Sequence, residues 1–246
     1  MEHRQLLRPL LLCLLLLLPA SAAAETLALA TDAEAPRSRP DGSGYADRIV
    51  AEACRRAGLG MRIEVMPAER CLAAADQGLV DGLYTRVAGL AAQYPGLIMV
   101  SEPADRFEFT AYTLRADLRI AGWDDLRPLS VGVVTGWKLA EENTRGVREL
   151  TRAHDADALF RLLAQGRVDV AVAGGHDVRT LSRRKGLAEL RAFSPPLAVR
   201  PMYIYLNKRH ARLAPRLAEA LRGMRADGSL ERILQKSRED RVGGGR

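Results

Sequence analysis

Apolar and polar residues along this chain follow two periods in turn, one of two residues and one of about 3.6. Short alternating or wholly apolar runs at Thr26–Ala30, Arg62–Met66, Gly82–Tyr84, Leu97–Val100 and Glu108–Leu114 predict strands. Between them, Tyr45 to Ala57 sets Ile49, Val50, Ala53, Cys54 and Ala57 on one helical face. Pro67 opens a second helix, with Cys71, Leu72 and Ala75 on its stripe. The loop Ala33 to Gly44 holds Pro36, Pro40, Gly42 and Gly44, which predicts irregular structure. A second cycle begins at Trp123-Asp124-Asp125-Leu126. It predicts strands at Ser130–Val134 and Val168–Ala173, a charged helix from Lys138 to about Arg148, and a helix from about Asp155 to Gln165. A strand at Met202–Leu206 and two C-terminal helices close the pattern, and the tail Val242–Arg246 reads as disordered. Strand and helix in alternation point to an α/β class with mostly parallel sheets.

Two stretches are near copies: Gln77-Gly78-Leu79-Val80-Asp81 and Gln165-Gly166-Arg167-Val168-Asp169. In each, a helix stops at a glycine suited to the left-handed C-cap conformation, and a Val-Asp step opens a strand. A generic helix-to-strand connector would look the same. As a duplication, the pair predicts two α/β lobes with a ligand cleft between them.

Composition narrows the class. Arg4 and Arg8, the apolar run Leu10–Leu18 and the small residues Ala22-Ala23-Ala24 have the order of a secretory signal, cleaved near Ala24. The run is too short to span a bilayer. The formal charge of the full sequence is +7, with the arginines scattered among acidic neighbours. Aromatics make up 5%, too few for base-stacking platforms, so nucleic acid is not an expected partner. The two cysteines of the mature chain, Cys54 and Cys71, lie on helices expected to cover opposite faces of one sheet, which favours two buried thiols over a bridge.

The chain resembles periplasmic solute-binding proteins of the class that feeds polar amino acids and related solutes to ABC transporters. The resemblance rests on Gly44-Tyr45-Ala46-Asp47, the two Gln-Gly-x-Val-Asp units, Ser101-Glu102-Pro103, Trp123 to Leu126 followed by Ser130-Val131-Gly132-Val133, and Asp227-Gly228-Ser229-Leu230. It implies the two-lobed periplasmic-binding-protein fold of type II, with residues 25–106 plus 199–246 as one lobe and 107–198 as the other. The crossings are expected near Arg106-Phe107 and Ala198-Val199. It also implies hinge closure on a small molecule, a monomer, a periplasmic location and a possible ABC permease as partner.

Arg86 is the first candidate for the site, because it stands where a strand runs out and can hold a carboxylate through two parallel hydrogen bonds. A solvated loop arginine would also fit that position. Arg70, inside the helix after Pro67, is the second candidate, with an exposed helix charge as its alternative. Asp32 could accept from a ligand amine or cap the loop that follows it, and Tyr45 could wall the cleft or staple a helix start. From the second lobe, Thr135, Gly136 and Trp137 lead into a helix whose free amides would face the cleft. Amino-acid binders of the family carry an acid where the strand 168–173 ends. Here Gly174 and Gly175 stand there, and the nearest acid is Asp177, which leaves small organic anions open as ligands. The four histidines have no metal spacing, and there is no nucleophile elbow or phosphate loop, so neither metal nor cofactor is expected and the chain reads as a non-enzyme. The alternatives are a dehydratase-type enzyme on the same fold and a sensor module without a transporter.

Overall fold

The computed structural model describes residues 25–35, 37–174 and 186–243, the last six of these by backbone alone. Residues 1–24, Gly175 and Asp177 therefore lie outside the described residues. In chain order the first half runs β1 (Thr26–Thr31), α1 (Tyr45–Arg56), β2 (Gly60–Val65), α2 (Ala68–Asp76), β3 (Gly82–Arg86), β4 (Leu97–Met99) and β5 (Asp105–Thr113). The second half runs β6 (Ser130–Val134), α3 (Lys138–Asn143), β7 (Glu149–Ala153), α4 (Ala156–Ala164), β8 (Val170–Gly174), β9 (Arg191–Ala192), β10 (Ala198–Asn207), α5 (Ala214–Ala226) and α6 (Ser229–Gly243).

Two parallel units face each other. In the first lobe β1 lies between β2 and β3; in the second, β6 lies between β7 and β8. Two antiparallel strands join them. The N-terminal half of β10 pairs with β5, while its C-terminal half pairs with β3 and β4. The expected crossings fall in this ladder, where Arg200 faces Phe107 and Ala198 faces Phe109. Two lobes could each carry a sheet of their own. Instead the hydrogen bonding follows one path, β2-β1-β3-β10-β5-β8-β6-β7, because β10 is long enough to serve both sides.

The period-two pattern of β1 explains the layering. Leu27 and Leu29 enter a core with Ile49 of α1 and Leu217 of α5, whereas Ala30 enters another with Cys71 and Leu72 of α2. A third core, around Val131, Val133, Leu159 and Val172, fills the second lobe. Cys54 and Cys71 belong to cores on opposite faces and are buried free thiols, as their stripes predicted. Burial pushes the Cys54 thiol up to about 12.

The repeated units do the same job twice. Gly78 and Gly166 take φ of +75° and +67° after the α2 and α4 helices. The Asp81 amide donates to Ala28 O at 2.9 Å, and its carboxylate accepts from Ala28 N at 2.8 Å. The Asp169 amide donates to Ser130 O at 2.9 Å, and its carboxylate accepts from Ser130 N at 2.9 Å. Each aspartate clamps the incoming strand to the first strand of its lobe.

Three expectations need correction. The helix expected to reach Arg148 stops at Asn143, and Glu149–Ala153 forms the edge strand β7 beside β6. Leu150 and Ala153 give that segment little apolar signal, since an edge strand buries few of its side chains. β10 begins four residues before Met202. Val242 and Gly243 are the last residues of α6 rather than part of a disordered tail.

Candidate functional site

The parallel strands of both lobes end at the seam between them, and two of those ends are strained. Ala33, two residues past β1, has φ +49°, and Thr85, next to last in β3, has φ +58°. A left-handed conformation costs a residue with a Cβ on the order of 1–3 kcal/mol, more readily met at a functional site than elsewhere. The two residues flank Asp32 and Arg86.

Arg86 is 6% exposed, and its Nη1 lies 3.7 Å from Asp32 Oδ2 and donates to Thr85 O at 3.1 Å. Its Nε and Nη2 are buried with no hydrogen-bond partner among the described residues. The Cys71 sulfur beside the guanidinium is at best a weak acceptor. Arg37, from the proline-containing loop, donates through Nη2 to Glu34 at 2.7 Å and to Asp32 at 3.4 Å. Its guanidinium stacks 4.5 Å from the centre of the Phe107 ring. Burial drives the Asp32 carboxyl upward, but Arg86, Arg37 and the Trp137 donor outweigh it and hold the group below its ordinary range.

The second lobe supplies the opposing wall. Trp137 Nε1 donates to Asp32 Oδ2 at 3.1 Å, and its ring meets Phe107 edge-on at 5.5 Å. Lys138 Nζ reaches Glu69 of α2 at 2.7 Å, and Tyr94 OH donates to the same carboxylate at 2.8 Å. Gly136, with φ +90°, comes so close that a Cβ there would stand 2.5 Å from Glu69 N. A Cβ at Gly174 would stand 2.8 Å from Phe107 Cζ and 3.0 Å from Glu34 Oε1. The cavity beside Arg86, Thr85, Trp137 and Met202 measures about 30 Å³, roughly one water's share of space. Anything larger would enter only as the lobes part.

Four of the predicted residues meet at this seam: Asp32, Arg86, Gly136 and Trp137. Tyr45 and Gly174 lie nearby, lining a larger cavity of about 800 Å³ that also touches Arg37 and Phe107. Thr135 is half-buried and does not present a free amide. The Thr135, Gly136 and Trp137 amides donate to Ala153 O, Glu141 Oε1 and Val134 O, so any open donors of this helix start belong to its first turn, from Lys138 on. Arg70 is solvent-exposed on α2 and does not join the cluster; its neighbour Glu69 makes the contact across the seam instead.

The sequence reading passed over Arg37, Glu34, Phe107, Lys138 and Asp105. Arg37 and Glu34 sit in a stretch with no period to reveal their direction. For Phe107 and Asp105 the signal was present, since both stand at the expected crossing. Among the described residues no group of three or more His, Cys, Asp or Glu side chains is arranged to hold a metal, and no helix is long and apolar enough to cross a membrane.

No family model matches the chain. A protein of Shewanella oneidensis, described as uncharacterized, is 25% identical over 209 residues, spanning 79% of this chain and 76% of its own. A histidine kinase sensor domain similar to periplasmic binding proteins superposes with a TM-score of 0.72 at 22% identity, over 87% of this chain and 95% of that one. An ancestral arginine-binding protein bound to glutamine gives 0.71 at 20%, over 87% and 98%. The arginine-, lysine-, histidine-binding protein ArtJ from Geobacillus stearothermophilus gives 0.71 at 14%, over 87% and 94%. The chain has the two-lobed α/β fold of type II periplasmic binding proteins.

Proposed function

We propose that this chain is a solute-binding protein that closes its two lobes, 25–106 with 199–246 and 107–198, around a small polar metabolite bearing a carboxylate. One observation carries the reading. Arg86 is buried at the carboxyl end of β3, lines the seam with Gly136 and Trp137 of the opposite lobe, and keeps Nε and Nη2 without a hydrogen-bond partner among the described residues, apart from the weak Cys71 sulfur. A planar fork with two unused donors matches a carboxylate, and ligands of open α/β sheets sit at such strand ends. Solved relatives in fold bind amino acids, which supports the same size and polarity of ligand. The signal-like residues 1–24 support a periplasmic location, and delivery to an ABC permease as a monomer follows from the family resemblance. The role is binding without turnover. The likeness to a histidine kinase sensor domain favours one other use of the same cleft, as a sensing module.

Thermal-shift screening of the purified protein against amino acids and small carboxylates, followed by calorimetric titration of the hits, tests the proposal. Stabilisation by at least one carboxylate, recovered unchanged after incubation, is the expected result. A panel in which no carboxylate stabilises the protein overturns it.

A further inference from the structure

The cavity of about 800 Å³ lies beyond Arg37 and Phe107 from Arg86, between the loop after β1, the start of α1, the β5–β10 ladder and the C-terminal helices. At its wall stands Asp105, the first residue of β5, which is 8% exposed. One of its oxygens, Oδ2, has no hydrogen-bond partner among the described residues. The carboxyl also interacts with the Tyr45 hydroxyl. Arg37, the buried cation nearby, is committed to Glu34 and Asp32. Arg225 is held by Glu102 at 2.9 Å and by Pro103 O at 2.7 Å. Arg106 also lines the cavity but is solvent-exposed and makes no ion pair with Asp105 among the described residues, so the cavity has a buried acceptor without a committed cation, flanked by the Tyr45 ring and by Leu230 and Leu234.

We propose that this cavity is a second ligand site, separate from the Arg86 seam, and that it takes a small organic cation whose primary ammonium or guanidinium binds Asp105. The apolar part of such a ligand lies against Tyr45 and the leucines of α6, and its N–H groups supply the donors that Oδ2 lacks. Asp χ2 is a broad, two-fold torsion, so the carboxyl turns toward the ligand at little cost. A carboxylate ligand here would meet Asp105 with like charge. The site stands whether or not the seam binds an anion.

The charge state of Asp105 makes the site pH-dependent. Burial raises its carboxyl to about 6 against the opposing pull of the Arg106 amide, Arg37 and Tyr45. Sharing the cavity with it are Glu34 and Arg37 from the loop, Tyr45 of α1, Arg106 and Glu108 of β5, Arg225 of α5 and Glu231 of α6. Ammonium binding needs the ionised form, so the affinity falls as pH drops through that value.

The test is calorimetric titration of the purified protein with 1,4-diaminobutane and with methylguanidinium, using 1-butanol and butyrate as controls. At pH 7.5 the cations bind and 1-butanol does not. Moving to pH 5 weakens them by about tenfold, the loss of ionised carboxylate for a group titrating near 6. Asp105→Asn weakens them at least about tenfold with its melting transition retained, and Arg86→Ala leaves them unchanged. Cation affinity that is equal at the two pH values, or equal in Asp105→Asn, overturns the proposal, as does a wild-type protein that takes neither cation. The pH comparison on the wild-type chain decides the matter even if the variant fails to fold.

Discussion

Removing the Arg86 side chain takes away two things at once: the donors offered to a ligand and the partner of Asp32. A buried ligand carboxylate left without its cation loses on the order of 2–5 kcal/mol, so Arg86→Ala is expected to raise Kd for a bound carboxylate at least about 30-fold by calorimetry. Arg86→Lys recovers part of this, because an ammonium does not reproduce the planar fork. An Arg86 side chain that faced the cleft rather than the core would leave the fold barely affected. The buried contact with Asp32 argues otherwise, and Arg86→Ala should also lose about 3 kcal/mol of stability, the low end for a broken buried pair, since Arg37 and Trp137 still serve Asp32. Asp32→Asn separates the two effects. It lowers the melting temperature through the uncompensated guanidinium but strengthens carboxylate binding, because Arg86 no longer shares its charge. A weaker affinity in Asp32→Asn would make Asp32 a ligand contact rather than a competitor. Asp105 has the opposite sign. Its folded-state value, raised from 3.8 to about 6, means the folded protein holds this proton more tightly than the unfolded chain. Stability from this group is therefore greatest below about pH 4 and is lost as pH rises through 6, by on the order of 3 kcal/mol at 1.36 kcal/mol per pH unit. Denaturant midpoints from pH 4 to 7.5 should show the wild type losing ground to Asp105→Asn as the pH rises.

At the scale of elements, Gly136 fixes how closely the lobes approach. Gly136→Ala puts a Cβ 2.5 Å from a backbone nitrogen of α2 at a residue with φ +90°. The expected outcome is a cost of more than about 1 kcal/mol and a larger radius of gyration by solution scattering, with ligand affinity reduced. The Lys138–Glu69 pair spans the same seam, but Glu69 is 43% exposed. Exposed pairs contribute about 0–1 kcal/mol, so Lys138→Ala should change affinity by less than about fivefold. How much of this was legible depends on what each residue had to signal. The Gln-Gly-x-Val-Asp units were readable because their constraints are local: a left-handed cap and an aspartate beside its own strand. Arg86 and Asp32 were readable singly, as charges at strand ends. Their pairing was not, since 53 intervening residues carry no record of it. β7 escaped notice because only one of its five residues is buried, and Arg37 because a proline-broken loop has no period.

For the whole molecule, the proposed closure would turn about the β5–β10 ladder, so a bound carboxylate should shorten the radius of gyration of the wild type while leaving Gly136→Ala open. The same ladder has a consequence for how the chain is made. Strand β3 finds its antiparallel neighbour only in residues near position 205, so the first lobe's sheet keeps an open edge until almost the entire chain has left the ribosome. The second lobe's parallel strands, β6 to β8, come from one continuous stretch and can assemble earlier. A chain ending at residue 197 should therefore retain a protease-resistant fragment from its later half, while its earlier half stays open to cleavage and to self-association through β3. Synthesis of this protein thus has a late checkpoint, and a premature stop just upstream of it would yield an aggregating product rather than a weaker binder.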